Sequence, residues 1–289
     1  MRPGPARPIG QRDGAERPRG GGHGADARRV GPADAGRHGH PHIARHSFPP
    51  TATPGRRPPT EAGGDGTAAL RGRDLWRHFG DVTALAGVDI AIGRGEAVAA
   101  MGPSGSGKTT LLHCLAGIER PDRGEVWLGE QRIDRLGERA RTRLRARRLG
   151  FVFQSDQLVP ELPAIENVAL PLMLDGHPRR VAVAEARRWF GPLGLDGLER
   201  RRPGELSGGQ AQRVAIARAL VARPAAVFAD EPTAALDRAA GAGVMDLLVG
   251  STRGSGAALL VVTHDPEVAA ACDRTLQLRD GTVVGVGER

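Results

Sequence analysis

Lysine is almost absent from this sequence. Lys108 is the single lysine among 289 residues, although lysine and arginine together number 41, and the chain has no tyrosine. Such a composition is typical of a GC-rich genome, in which lysine codons drift toward arginine codons. A compact ammonium group is therefore expected to matter at position 108, because the wider, planar guanidinium of arginine cannot replace a point donor among oxygen atoms.

Cysteine, aromatic residues and long apolar runs are also scarce. The two cysteines, Cys114 and Cys272, have no framework spacing, which argues against a disulfide scaffold and favours a reducing compartment. Aromatic residues make up 3% of the chain, too few for the stacking platform of a single-strand nucleic-acid binder. The longest apolar runs, such as residues 257–262, have the length of a core strand, well short of the roughly 18 residues that a membrane-spanning helix needs. We therefore expect no transmembrane helix.

The first 66 residues lack apolar periodicity. They contain half of the 22 prolines and carry 11 arginines against 6 acidic residues, a net charge of +5 out of +8 for the whole chain. Such a segment buries too little apolar surface to offset the entropy of ordering. We predict a disordered tail over residues 1–66 and one folded domain over residues 67–289. The tail lacks the apolar stretch of a secretory signal, and a start codon placed too far upstream is a second explanation for it.

The positive charge of the chain belongs mainly to this tail. The remaining residues carry a net charge of only +3. A nucleic-acid-binding domain would place its basic surface on the folded part. We therefore expect no nucleic-acid partner.

A phosphate-binding motif surrounds the single lysine. Residues 102–109 read GPSGSGKT, which matches G-x-x-x-x-G-K-[ST], between a strand-like run and a helix-like run. Backbone N–H groups of the loop would surround the β-phosphate at a helix N-terminus. Lys108 would bridge the β- and γ-phosphates of a nucleoside triphosphate, and the Thr109 hydroxyl would hold Mg²⁺. The predicted nucleotide contacts are Gly102, Pro103, Ser104, Gly105, Ser106, Gly107, Lys108, Thr109 and Thr110.

Two acidic residues follow a second apolar run. Asp230 and Glu231 come directly after residues 225–229, which have the pattern of a buried parallel strand. The carboxyl ends of such strands present ligand-binding residues. Asp230 fits a partner of Mg²⁺ through water, and Glu231 fits a general base that polarises the attacking water. A solvated strand end would have the same pair, but its position after the glycine loop and the apolar run favours the catalytic interpretation.

A second glycine motif, LSGGQ, occupies residues 206–210. Ser207 is a good N-cap, and the two glycines after it let the backbone approach a charged group closely. One nucleotide does not need two such anion sites in one chain. The economical explanation is that this site contacts a nucleotide held mainly by another subunit, although an ordinary capped helix would have the same local sequence.

Together these motifs make the sequence similar to the nucleotide-binding subunits of ABC transporters, over residues 68–289. The family order is kept: GPSGSGKT, Gln154 after LGFVF, LSGGQ, AAVFADE, AALD, and His264 within VVTHD. The resemblance implies an α/β fold of the P-loop NTPase class. It would have a RecA-like parallel core, a small antiparallel β subdomain and a helical subdomain that carries the signature motif LSGGQ.

The resemblance also implies that the nucleotide sites lie between two chains. A homodimer or pseudo-dimer would pair head to tail, with each ATP between one P-loop and the signature motif of the partner. The signature residues in contact with ATP would be Ser207, Gly209 and Gln210, and Asp237 would connect the two sites across the dimer.

Three further roles follow from the same resemblance. Gln154 would contact Mg²⁺ and the attacking water, and would relay the nucleotide state to the membrane partner through residues 155–162. His264 would contact the γ-phosphate and help to position the water. Phe79 stands where the family stacks an aromatic ring on adenine, although a core phenylalanine near a turn has the same local pattern.

Some positions depart from the family pattern. The stacking position has phenylalanine where tyrosine is more common, and Ala211 follows LSGGQ where glutamine is common. AALD replaces SALD or GALD, and Ala229 precedes Asp230 where a bulkier aliphatic residue is common. None of these changes removes a catalytic group, so we expect an active ATPase.

The wider sequence, including ENVALPLM and EPTAALD, resembles the ATPases of lipoprotein-releasing, macrolide-efflux and cell-division-type systems, and amino-acid importers share many of the same residues. The expected function is ATP hydrolysis at the cytoplasmic face of the membrane. It would drive a separate transmembrane permease chain, of the export or mechanotransmission type.

Two other functions compete with this prediction. A soluble ABC-type ATPase acting on DNA or ribosomes would carry two such domains, zinc-finger insertions or coiled-coil arms, none of which the sequence contains. A P-loop kinase or GTPase would not account for LSGGQ or His264. The arginine-rich run over residues 139–148 fits a solvated helix face, with acidic lipid or a partner as the alternative contacts.

Overall fold

The structure is a computed structural model, and it describes residues 68–154 and 157–288. The predicted tail over residues 1–66 and the loop residues 155 and 156 lie outside the described residues. The described chain has a mixed α/β fold, as predicted.

An antiparallel sheet begins the described chain. Among the described residues it has four strands in the order β2-β1-β4-β5, and all neighbours pair antiparallel. These strands are β1 (Ala68–Phe79), β2 (Val82–Gly93), β4 (Arg123–Leu128) and β5 (Gln131–Arg132). This sheet is the predicted small β subdomain.

A second, mainly parallel sheet forms the centre of the domain. Its six strands within the described residues run in the order β10-β9-β3-β8-β7-β6, and only the β9–β10 pair is antiparallel. Helices and the antiparallel sheet cover its faces, so the middle strands are continuous apolar runs. The strands are β3 (Ala97–Met101), β6 (Leu149–Val152), β7 (Ala226–Asp230), β8 (Ala258–Val262), β9 (Arg274–Arg279) and β10 (Thr282–Glu288).

The helices of the described residues connect these strands. They are α1 (Lys108–Leu115), α2 (Glu138–Arg148), α3 (Ala164–Leu174), α4 (Arg179–Arg187), α5 (Gly208–Leu220), α6 (Arg238–Ser255) and α7 (Pro266–Ala270), with a short 3₁₀-helix at Pro203–Glu205. No helix in the described part of the chain is both long and apolar enough to cross a membrane.

Two helices differ from the sequence prediction at their C-terminal ends. The amphipathic sequence over residues 181–193 predicts a helix through that range, but the helix ends at Arg187, because Gly191 and Pro192 cannot continue a stable helix and the chain turns there. The sequence also predicts a helix around residues 236–249, and this helix continues to Ser255, where Gly256 ends it with a left-handed backbone (φ 72°).

The parallel sheet separates two buried clusters. Along β3, Ala97 and Ala99 face one cluster while Val98 and Ala100 face the other, because successive side chains of a strand point to opposite faces. Helices α3 to α7 pack on the first face, whereas α1 and the antiparallel sheet pack on the second. This packing fixes the carboxyl ends of the central strands, where the predicted site residues lie.

Candidate nucleotide-binding site

The glycine loop closes tightly between β3 and α1. Gly102 and Gly107 have φ angles of 151° and 98°. A Cβ at Gly102 would lie 2.1 Å from the Leu278 carbonyl oxygen, and one at Gly107 would lie 2.3 Å from the Ala84 carbonyl oxygen. Only glycine fits at these two positions, and the loop is therefore held against β9 and the β1–β2 hairpin.

The start of α1 suits an anion. No side chain caps the helix and its first turn has no acidic residue, so its N–H groups and dipole are available to a negative ligand. The Lys108 Nζ donates hydrogen bonds to the carbonyl oxygens of Gly102 (2.9 Å) and Pro103 (2.8 Å). The ammonium group thus lies across the glycine loop, at the position that the phosphate-binding motif requires.

The other loop residues divide by exposure. Pro103, Ser104, Gly105 and Thr109 are exposed, whereas Ser106 is 2% exposed and its hydroxyl has no hydrogen-bond partner within the described residues. The Thr109 hydroxyl is therefore accessible to a cation beside the phosphates. Ser106 contributes through its backbone, since its carbonyl oxygen accepts from Gly281 N (3.2 Å).

Asp230 lies at the end of β7, level with the end of β8. In the sheet register it is opposite Val262. Burial raises the pKa of the Asp230 carboxyl, the neighbouring Glu231 raises it further, and His113 and Lys108 oppose the shift. A divalent cation would favour the ionised form, so Asp230 and Thr109 are residues that could hold Mg²⁺ beside a bound nucleotide.

Glu231 is held by the segment that follows β8. It has an uncommon positive φ of 47°, and its N–H donates to the Val262 carbonyl oxygen (2.9 Å). Its Oε1 lies 2.6 Å from His264 Nδ1 and accepts from His264 N (3.1 Å), while Oε2 accepts from the Thr263 hydroxyl (3.1 Å). The hydrogen bond to the carboxylate raises the pKa of His264 above its ordinary value. The structure therefore brings Glu231 and His264 together.

Gln154 follows β6 and is exposed. The carbonyl oxygen of its neighbour Phe153 accepts a hydrogen bond from Gln212 Nε2 (3.2 Å). Gln212 is 3% exposed and links the start of α5 to the Gln154 loop.

The signature motif starts α5 with a capping box. Ser207 Oγ accepts from Gln210 N (3.3 Å), and Gln210 Oε1 accepts from Ser207 N (2.9 Å). The adjoining glycines face the start of α6, since a Cβ at Gly209 would lie 3.7 Å from Ala240 Cβ. There Asp237 caps α6 by accepting from Ala240 N (2.9 Å). Signature motif and Asp237 thus form a second group of site residues.

Phe79 is at the tip of the β1–β2 hairpin. Phe79 is 47% exposed, and the Arg77 guanidinium carbon lies 4.6 Å from the centroid of its ring. The alternative of a core phenylalanine is therefore wrong. The ring is exposed on the same hairpin whose Ala84 carbonyl closes on Gly107, and the face not covered by Arg77 could stack on a base.

Sequence reasoning missed two residues of this site, Thr263 and Gln212. Gln212 had a detectable sign, because it shares the i, i+3, i+4, i+7 stripe of α5 with Ala215, Ile216 and Ala219, all buried. A glutamine on such a stripe needs a buried hydrogen-bond partner. No comparable sign in the sequence marks Thr263, because it simply continues an apolar strand. Its partner Glu231 is distant in the sequence.

These features define a P-loop ATPase of the cassette type, with a phosphate loop after β3, an acidic pair at the end of β7, two strands away in the same sheet, and a capped signature helix. The chain belongs to the ABC transporter family, whose sequence profile matches residues 85–234. It is an ATP-binding and ATP-hydrolysing subunit that supplies energy to a transporter whose transmembrane part is a separate chain.

Relatives and solved structures agree with this classification. The chain is 46% identical to the lipoprotein-releasing system ATP-binding protein LolD of Acinetobacter baylyi over 217 residues, which cover 73% of this chain and 95% of that protein. It is 44% identical to LolD of Porphyromonas gingivalis over 212 residues, 73% of this chain and 97% of that protein.

Among solved structures, the chain is similar to the ATP-binding cassette MJ0796, which is dimeric and bound to ADP and Pi in a post-hydrolysis state. The TM-score is 0.68 and the identity is 36%, over 76% of this chain and 98% of that chain. CbiO1 of Clostridium perfringens, part of the transporter complex cbiONQ, is similar with a TM-score of 0.71 and 30% identity, over 77% of this chain and 89% of that chain. The mixed α/β fold with its parallel and antiparallel sheets is that of an ABC ATPase cassette.

Proposed function

We propose that two copies of this chain pair head to tail at the cytoplasmic face of the membrane and drive a transmembrane partner of the lipoprotein-releasing type. The observation that carries the pairing is the signature motif at the start of α5, where Ser207 and Gly208 are exposed and the capping box engages the N–H groups of Ser207 and Gln210 but not those of Gly208 and Gly209. The dimeric MJ0796 cassette supports this arrangement. The LolD relatives support the transport class.

Binding would use the glycine loop and three side chains beside it. Lys108 would turn from the carbonyl oxygens of its own loop to the β- and γ-phosphates, for which a charge-assisted hydrogen bond is stronger than one to a neutral carbonyl. Thr109, Asp230 and Gln154 would hold Mg²⁺, with Asp230 acting through water. The cation would neutralise charge on the phosphates while the protein fixes their position.

Hydrolysis would use Glu231 as general base. Its carboxylate would accept a proton from the water that attacks the γ-phosphate, and Gln154 would orient that water. The exposed His264 ring would move from Glu231 to the γ-phosphate, where its proton would stabilise developing charge. Because Asp237 caps the helix beside the signature motif, a change at one nucleotide would reach the other through this contact.

The experiment that tests the transport class is reconstitution of the chain with its own transmembrane partner in liposomes. We expect acylated lipoprotein to raise the ATPase rate, and the same protein without its acyl chains to leave it unchanged. Stimulation by a macrolide or a free amino acid instead would contradict the lipoprotein-releasing assignment. Membrane fractionation with and without the partner tests the location, since the chain should sediment with membranes only when the partner is present.

A further inference from the structure

Thr263 lies between the strand that carries the glycine loop and the strand that carries Glu231. It follows the last residue of β8, and its backbone N–H donates to the Ala100 carbonyl oxygen on β3 (3.2 Å). The residue is fully buried, with 0% exposure. Its position is therefore fixed by the centre of the parallel sheet.

The hydroxyl of Thr263 has a defined hydrogen-bond direction. The Asp265 backbone N–H lies 3.0 Å from Oγ1, and because an N–H can only donate, the hydroxyl oxygen accepts there. The single hydroxyl proton is then left for Glu231 Oε2, at 3.1 Å. Thr263 is thus a donor aimed at the carboxylate.

The two carboxylate oxygens of Glu231 bond to side chains that differ in solvent exposure. Oε1 contacts His264, whose side chain is 75% exposed and can exchange its bond for one with water or phosphate. Oε2 contacts Thr263, which is buried. When the His264 ring leaves the carboxylate, Oε1 keeps the bond from the His264 backbone N–H (3.1 Å), and Thr263 is the side chain that still holds Oε2.

We propose that Thr263 is a positioning residue for hydrolysis, which keeps the Glu231 carboxylate aimed at the attacking water through Oε2. This inference rests on the proposed role of Glu231 as general base. Within the described residues the Thr263 hydroxyl bonds to Glu231 and to the Asp265 backbone, and not to the glycine loop or the signature motif, so we expect its loss to affect turnover and to leave nucleotide binding unchanged.

The test compares Thr263→Val, which keeps the shape and removes the hydroxyl, with Thr263→Ser, which keeps the hydroxyl. We expect valine to lower kcat by about 10- to 100-fold, the usual cost of losing a group that orients a catalytic side chain. KM for ATP and the calorimetric Kd should stay within about twofold, because binding is made elsewhere, and serine should restore most of kcat. If valine does not yield a stable protein, Thr263→Ala removes the same hydroxyl without changing the outcome expected.

Two controls separate this role from a structural one. Thr252→Val makes the same change at a buried threonine of α6, whose hydroxyl donates to the carbonyl oxygens of Leu248 (2.9 Å) and Val249 (3.0 Å) and has no part in the site. We expect it to retain kcat, and a loss equal to that of Thr263→Val would overturn the proposal. In a Glu231→Gln background, Thr263→Val should lower kcat no further.

The outcomes distinguish the two hypotheses. If Glu231→Gln hydrolyses ATP at the parental rate, the assignment of the base is wrong. If Glu231→Gln is inactive and Thr263→Val has the parental kcat, the base stands and the positioning role of Thr263 is overturned.

Discussion

Lys108 shows how much a single residue decides at this site. Its Nζ lies within 2.9 Å of two carbonyl oxygens of its own loop, and its charge opposes the rise in the pKa of Asp230. An arginine there would present a planar fork to a loop built for one point donor. All other residues of the lysine and arginine total are arginine, so the composition alone already indicates that position 108 needs a compact ammonium group.

The first prediction concerns this residue. Lys108→Ala should weaken ATP binding by about 10- to 100-fold, because a charge-assisted hydrogen bond contributes about 1.5–3 kcal/mol. Lys108→Arg is the matched control for charge, and we expect it to bind ATP poorly as well. Isothermal titration calorimetry with Mg²⁺–ATP measures both variants. Unchanged affinity in Lys108→Ala would count against the phosphate-loop assignment.

At the scale of elements, α5 connects two sites that belong to different nucleotides in the proposed dimer. Its first turn carries the signature motif, and Gln212, one turn later, donates to the Phe153 carbonyl oxygen beside Gln154. Asn167 of α3, fully buried, fixes the far side of the same loop by accepting from Val159 N (2.7 Å) and donating to the Leu162 carbonyl oxygen (2.9 Å). The loop is thus tied to two helices by buried amides.

A prediction on stability follows for Gln212. Gln212→Leu leaves the Phe153 carbonyl oxygen without this donor, and a buried unpaired polar group costs about 1–3 kcal/mol. We expect a loss of that size in the free energy of unfolding, measured by denaturant titration. Gln131→Leu makes the same chemical change at an exposed position of β5, and its free energy of unfolding should stay within about 0.5 kcal/mol of the parental value. Equal stability of both variants would contradict the buried role of Gln212.

Element order and type were predictable where the pattern was strong. The buried strands β3, β7 and β8 and the helix start at Ser207 agree with the prediction, because apolar runs and capping residues are local properties. Helix ends were less predictable, as α6 shows: it continues to Ser255 through glycines that tertiary packing tolerates. The Thr263–Glu231 and Gln212–Phe153 bonds join residues far apart in sequence and needed the three-dimensional structure.

For the molecule as a whole, the separation of tail and domain stays a prediction. The LolD relative from A. baylyi is matched over 95% of its length by 217 residues of this chain, fewer than the 223 residues of the predicted domain. We expect a chain that lacks residues 1–66 to fold and to hydrolyse ATP at the parental rate, measured by circular dichroism and phosphate release. Loss of folding or activity would mean that the tail belongs to the domain.

The central claim is that two chains build each nucleotide site together. It is tested most directly by the mass of the Glu231→Gln variant with Mg²⁺–ATP, measured by analytical ultracentrifugation. Removing the general base should lower turnover by about a hundredfold or more while leaving ATP bound. We predict a dimer that returns to monomer when ATP is replaced by ADP. A strictly monomeric variant at saturating ATP, both alone and with its transmembrane partner, would contradict the account.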